Sequence, residues 1–189
     1  MDIDWTHELV DQLEFHWGKI LRPRLASLTD EQYLWEPVPG CWSVRRRADG
    51  RGNSAVGAGD TVIDYEYPEP DPPPFTTIAW RMGHIAIGIF GGRAARHFGD
   101  GDIQYADVDW PLTAAGGMAL LDRHHDAWIA GVSQLDPAGL ARPCGPTEGP
   151  YAEYPMAALV LHINREALHH GAEIALLLDL YTHRFGGSQ

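Results

Sequence analysis

The stretch LVLHINREALHHGAEIALLL, Leu159–Leu178, decides how the chain folds. Leu159, Ile163, Glu166, His170, Ile174 and Leu177 follow one another at steps of four, three, four, four and three residues, the spacing of one face of an α-helix. Most of that face is aliphatic, yet a carboxylate and an imidazole stand in line with it. Burying either without a partner costs roughly 2 kcal/mol, and far more if it is ionised. A shared cation is the simplest compensation, because residues four apart are neighbours on a helix surface.

Working outward from this helix, three more helical periods precede it. From Ile3 to about Ser27, Leu9, Leu13, Trp17, Ile20 and Leu21 line one side, with Pro23 expected to tighten or bend the last turns. Thr29-Asp30-Glu31-Gln32 carries the signature of a capped helix start, predicting a turn or two up to Trp35. Thr76 or Thr77 caps a second long helix, Ile78 to about Phe98, which places His84 beside Ile87, Gly88 and Gly91 on one face. Glycines in a helix cost about 1 kcal/mol each relative to alanine, so Gly83, Gly88, Gly91 and Gly92 predict that a backbone or a ligand approaches closely there. Leu112 to about Leu135 forms a third helix, with His124 and His125 read as polar residues near its solvent face.

Between Pro37 and Thr76 the helical period gives way to glycine and proline. Asp60–Tyr67, DTVIDYEY, alternates like a strand or one arm of a short hairpin. The expected architecture is all-α: one domain over residues 1–189, an antiparallel four-helix bundle with an insertion at about 37–76 between helices 1 and 2, carrying a short β-hairpin and lying as a flap over one end of the helices.

Composition narrows the function. The formal net charge is −12, and apart from Arg45, Arg46 and Arg47 the basic residues form no stripe, so nucleic-acid binding is not expected. The start, MDIDWTHELV, lacks the basic and apolar segments of a signal peptide, and no run approaches the roughly 20 apolar residues of a membrane span. A cytoplasmic protein with no membrane partner is expected. Cys41 and Cys144 lie far apart in different connecting segments and are read as reduced thiols.

In such a bundle, inward residues on facing helices build sites. His84 on the second helix, with Glu166 and His170 on the fourth, offers two nitrogens and one carboxylate oxygen. That set suits Zn2+ with its fourth position open, and also accepts Ni2+, Fe2+ or Mn2+.

The segment LTDEQYLWEPVPGCWSV after a first helix, a histidine in the second helix, and a last helix with a His-His-Gly pattern resemble the DinB-like superfamily. Most members carry one histidine on the second helix and a His-xxx-His pair on the fourth. The gap-free match puts Glu166 at the first position of that pair and His170 at the second. Arg165-Glu166-Ala167-Leu168-His169-His170 fits the Arg-Glu-xxx-His pattern of the mycothiol-dependent maleylpyruvate isomerase branch, whose zinc ligands are His, Glu and His. A match shifted by one residue would align Arg165 and His169 instead, but Arg165 lies off the stripe that Ile163 and Ile174 define.

The resemblance implies a metal that binds a low-molecular-weight thiol such as mycothiol, for S-transfer or isomerisation of a small-molecule substrate. Arg165, His169, His124 and Trp42 are then expected as outer supports of the metal or as substrate contacts. The same ligands also suit hydrolysis by a bound hydroxide, and a bundle that merely holds a structural ion and forms a homodimer is a third reading.

Overall fold

The computed structural model describes residues 2–186. Helix α1 is continuous through Trp5–His16, Trp17–Leu21 and Arg22–Leu25, and Asp4 caps its start by accepting from His7 N–H at 3.1 Å. Its middle segment is π-helical, so the helix widens ahead of Pro23 where tightening or a bend was expected. Arg22 N–H reaches back five residues to Trp17 O, and the wider turn gives the proline ring room against the preceding carbonyls. Helix α2 (Asp30–Leu34) has the expected capping box between Thr29 and Gln32. Strands β1 (Val44–Arg46) and β2 (Thr61–Ile63) follow.

Helix α3 runs through Ile78–Gly83, a π-helical segment His84–Gly91 and Gly92–Phe98, with Thr77 as its cap. Helix α4 (Ala114–Val132) is capped by Thr113, α5 (Pro137–Ala141) by Asp136, and α6 (Met156–Phe185) begins after Pro155. The last helix extends to Phe185, and the final three residues of the chain lie outside the described residues. No described helix is long and apolar enough to cross a membrane.

Side-chain pairs fix the direction of each long helix. Asn164 donates to Leu9 O at 2.8 Å and Arg24 pairs with Asp179, so α1 and α6 run parallel. Arg22–Asp122 at 2.8 Å and His125–Glu14 at 2.8 Å make α4 antiparallel to α1. Arg81 pairs with Glu173 at 3.0 Å while Arg93, further along α3, shares a pocket with Leu159 and His162, so α3 is antiparallel to α6. The four helices therefore run up, down, down and up. The core between them holds Leu13, Leu21, Phe90, Leu121, Trp128, Ile163 and Ile174, all buried.

Because α3 and α4 point the same way, the segment between them must return along the bundle. It does so over the glycines of α3: a Cβ on Gly92 would stand 3.2 Å from Ile103 O, one on Gly88 would collide with the Tyr105 hydroxyl, and one on Gly83 would stand 2.8 Å from Trp110. The close approach expected at these glycines is made by the chain's own return segment.

The insertion forms a hairpin, β1 antiparallel to β2 with Val44 opposite Ile63. The strand is shorter than the alternation of residues 60–67 suggests, because Asp64 turns inward. Its fully buried carboxylate accepts from Ser43 N–H at 2.9 Å, Arg51 N–H at 2.6 Å and Arg45 Nε at 2.7 Å. Three donors, one of them cationic, satisfy a charge that would otherwise be costly to bury. The Trp80 indole ties α3 to this hairpin by donating to Asp64 O at 2.8 Å.

Candidate metal centre

The antiparallel pairing of α3 with α6 sets His84 against His170. Their ring centroids lie 4.8 Å apart with the planes at 83°. Each imidazole has its Nδ1 engaged: His84 Nδ1 is 2.8 Å from the Tyr105 hydroxyl, and His170 Nδ1 is 2.7 Å from Glu173 Oε2. Arg81 also approaches His170 Nδ1, at 3.3 Å, but one nitrogen cannot donate to a carboxylate and accept from a guanidinium at once. The shorter, charge-assisted contact decides: His170 Nδ1 carries the proton and donates to Glu173. Its Nε2 lone pair is then free for a ligand role, the arrangement in which a carboxylate orients a metal-binding histidine.

Glu166 stands one turn away on α6, its Oε2 3.7 Å from His170 Nε2. That gap is too long for a hydrogen bond. Two donors bound at about 2.0–2.2 Å to one tetrahedral ion are separated by a little over 3 Å, so a small closure lets the pair share a cation. The other oxygen, Oε1, accepts from Arg165 Nε and Nη2, both at 3.3 Å, and lies 3.5 Å from His162 Nδ1.

Burial, with the positive charges of His170, Arg81 and Arg93 acting in the same direction, pushes His84 down to about 3. Burial also lowers His170, although Glu173 opposes it. Both rings are thus neutral near pH 7, the form in which imidazole binds metals. Trp80 lies nearly parallel to His84, 5.3 Å from it, and holds the ring in place.

A second group shares His170. Ligand atoms of His169, His170 and Glu173 lie within 4.8 Å of one another on the outer side of α6. Among the described residues the chain thus carries one His and Glu group spaced to hold a divalent cation. On the outer side Glu173 is already paired with Arg81, and a guanidinium at that carboxylate opposes a second positive charge. In the inner set, Glu166 approaches His170 to 3.7 Å and His84 meets His170 ring to ring, but among the described residues only the outer group brings three ligand atoms within 4.8 Å of one another.

Of the expected supporting residues, Arg165 bonds Glu166 as described, and His169 reaches Glu173 at 3.4 Å. Trp42 is buried against Trp80, 5.8 Å away, and lines a cavity of about 710 Å³ shared with His84 and Tyr105. His124 sits instead against Gly91, two turns along α3 from His84. His125 is not on the solvent face: it is buried and stacked on Trp17 at 4.1 Å, because α4 turns that side toward α1.

Glu173, Tyr105 and Arg81 escape the sequence reading. Glu173 follows His170 by three residues, within reach on a helix, but it lies off the aliphatic stripe. Tyr105 belongs to a connection, and only the direction of α4 brings it back over His84.

No curated protein and no solved structure matches the chain. The model of the DinB superfamily matches residues 12–174, a span that runs from within α1 into α6 and includes every residue of the inner set, and the chain belongs to that superfamily.

Proposed function

We propose that this protein is a metal-dependent enzyme that activates a low-molecular-weight thiol, mycothiol or a comparable one, for S-transfer to, or isomerisation of, a small electrophilic substrate. His84, Glu166 and His170 are the proposed ligands of a divalent cation, Zn2+ before Ni2+, Fe2+ or Mn2+. The observation that carries this reading is the pairing of two neutral imidazoles, each with Nδ1 occupied, from helices that face one another. When bound, such an ion supplies a positive charge that turns a thiol, ordinarily half-ionised only at about pH 8.5, into its thiolate at neutral pH.

The rest of the work falls to the protein. Glu173 and Tyr105 fix which ring nitrogen of each histidine faces the centre. Arg165 bonds Glu166 Oε1 and leaves Oε2 turned toward His170. Trp42 and Trp80 place apolar surface beside His84, which limits the water able to compete with a thiol. With only three protein ligands, an open position remains for a substrate sulfur or oxygen.

The test is elemental analysis of purified protein beside His84→Ala, Glu166→Ala and His170→Ala, followed by thermal melting against a panel of thiols. Stoichiometric metal lost in the variants, with a thiol-dependent rise in Tm only in the metal-loaded protein, is the expected result. Wild-type protein without metal, or variants that keep it, would sink the proposal. Metal without any thiol response would shift the reading to hydrolysis at the same site.

A further inference from the structure

The lining of the cavity beside His84 is of two kinds: the aromatic side chains Trp42, Tyr65, Trp80 and Tyr105, and the guanidinium groups of Arg93 and Arg96. Its volume of about 710 Å³ falls within the range typical of small-molecule sites, roughly 300–1,000 Å³. Arg96 pairs through Nη1 with Asp102 at 2.7 Å, although its Nε too is buried without an acceptor. Arg93 is not comparably satisfied. One of its Nη atoms bonds Gly88 O, its Nε is buried without an acceptor, and its nearest carboxylate oxygen, on Glu148, is 3.8 Å away. Glu148 is itself taken by His97 at 2.9 Å. A largely buried guanidinium short of acceptors is costly unless something supplies them, and the exposed Glu69 is the sole carboxylate on the cavity wall.

We infer that this cavity binds a small organic anion with an aromatic-sized apolar body, its carboxylate-type head held by Arg93 and its body against Trp42 and Tyr105. The inference names a substrate class for the proposed enzyme and rests on that reading only for where the reaction occurs. The flat aromatic walls suit a ring or a conjugated chain. With Nη1 taken by Gly88 O, Arg93 Nη2 is the donor left for the head. Because Arg93 and His84 both line this cavity from α3, a molecule anchored at Arg93 reaches along it toward His84.

The test is calorimetric titration of chelator-treated, metal-free protein with 3-phenylpropanoate and with the neutral 3-phenylpropanamide. The acid should bind about tenfold or more tightly than the amide, the worth of one charged hydrogen-bonded contact. Arg93→Met should bring the acid down to the level of the amide, and Arg93→Lys should recover part of the loss. If Arg93→Met does not fold, the acid-to-amide ratio of the wild-type protein and Arg93→Lys decide the matter. Equal binding of acid and amide, binding of neither up to millimolar concentration, or an acid affinity unmoved by Arg93→Met or Arg93→Lys would overturn the inference. Since no metal is present in the titration, loss of the proposed metal chemistry leaves this result standing, and a metal-replete protein that ignores the acid defeats only the inference.

Discussion

Trp80 lies over His84 with ring centroids 5.3 Å apart and planes 13° from parallel, and the same indole donates to the backbone of Asp64 in the inserted hairpin. One side chain thus couples the insertion to an imidazole of the proposed metal centre. Trp80→Phe keeps an aromatic ring over His84 but leaves Asp64 O buried without its donor. An unsatisfied buried acceptor costs about 1–3 kcal/mol. Urea unfolding should show a loss of that size, and limited trypsin digestion should cut faster at Arg45, Arg46, Arg47 or Arg51. Unchanged cleavage would mean that the insertion is held without Trp80.

The inner and outer His and Glu groups separate by mutation. If the ion sits on His84, Glu166 and His170, removing the group that orients His170 should weaken binding without abolishing it. Glu173→Gln is therefore expected to lower metal affinity by about 10- to 100-fold, and His169→Ala should leave it nearly unchanged. A competition assay with a metallochromic chelator measures both. Abolished binding in His169→Ala would move the ion to the outer group.

Packing at Gly88 gives a sharper stability test. A methyl group there would collide with the Tyr105 hydroxyl and stand 3.1 Å from His84 Nδ1, so Gly88→Ala must displace the return segment. Overpacking of this kind costs about 1–3 kcal/mol. At Gly18, in the π-helical part of α1, an added methyl group would meet nothing within 4 Å, and Gly18→Ala should gain about 0.5–1 kcal/mol from backbone entropy. Opposite shifts in Tm are expected from the same substitution in two helices.

The stability of the metal-free protein should fall in mild acid. His84 titrates at about 3 in the folded chain, against the ordinary imidazole value of 6.5. Between these values the unfolded chain carries a proton that the folded chain does not, so stability rises with pH through that window and is lost as the pH drops below 6.5. From pH 8 to pH 5 His84 alone should cost about 1–2 kcal/mol, a figure reduced because part of the ring faces the cavity. His170, also lowered, acts in the same direction. Denaturant midpoints measured with chelator present should converge for wild type and His84→Gln at low pH.

The long helices were legible because their aliphatic periods are unambiguous, and the stripe on Leu159–Leu178 marked His170 by its misfit with its neighbours. The placement of His84 followed from one face of the second helix. The direction of α4 was not legible: periodicity says which side of a helix is apolar, not which way the chain runs. The reading of His125 as a surface residue failed for that reason, since its neighbours Asp122, Arg123 and Asp126 are polar while the ring itself stacks on Trp17. Tyr105 was hidden because a connection without period gives no register until both of its ends are fixed. Asp64 was hidden because its three donors come from residues 43, 45 and 51, a convergence created by the turn.

Loops of a bundle usually accept added or missing residues without harm. The crossing from Gly99 to Thr113 is different, since Ile103, Tyr105 and Trp110 lie opposite Gly92, Gly88 and Gly83 in succession, like teeth meeting notches. Deleting one residue ahead of Tyr105 would present a different side chain to His84 and alter the protonation pattern of its ring. The length of this connection, and not only its composition, therefore sets the chemistry of the centre, and natural variation here should conserve spacing more strictly than residue type.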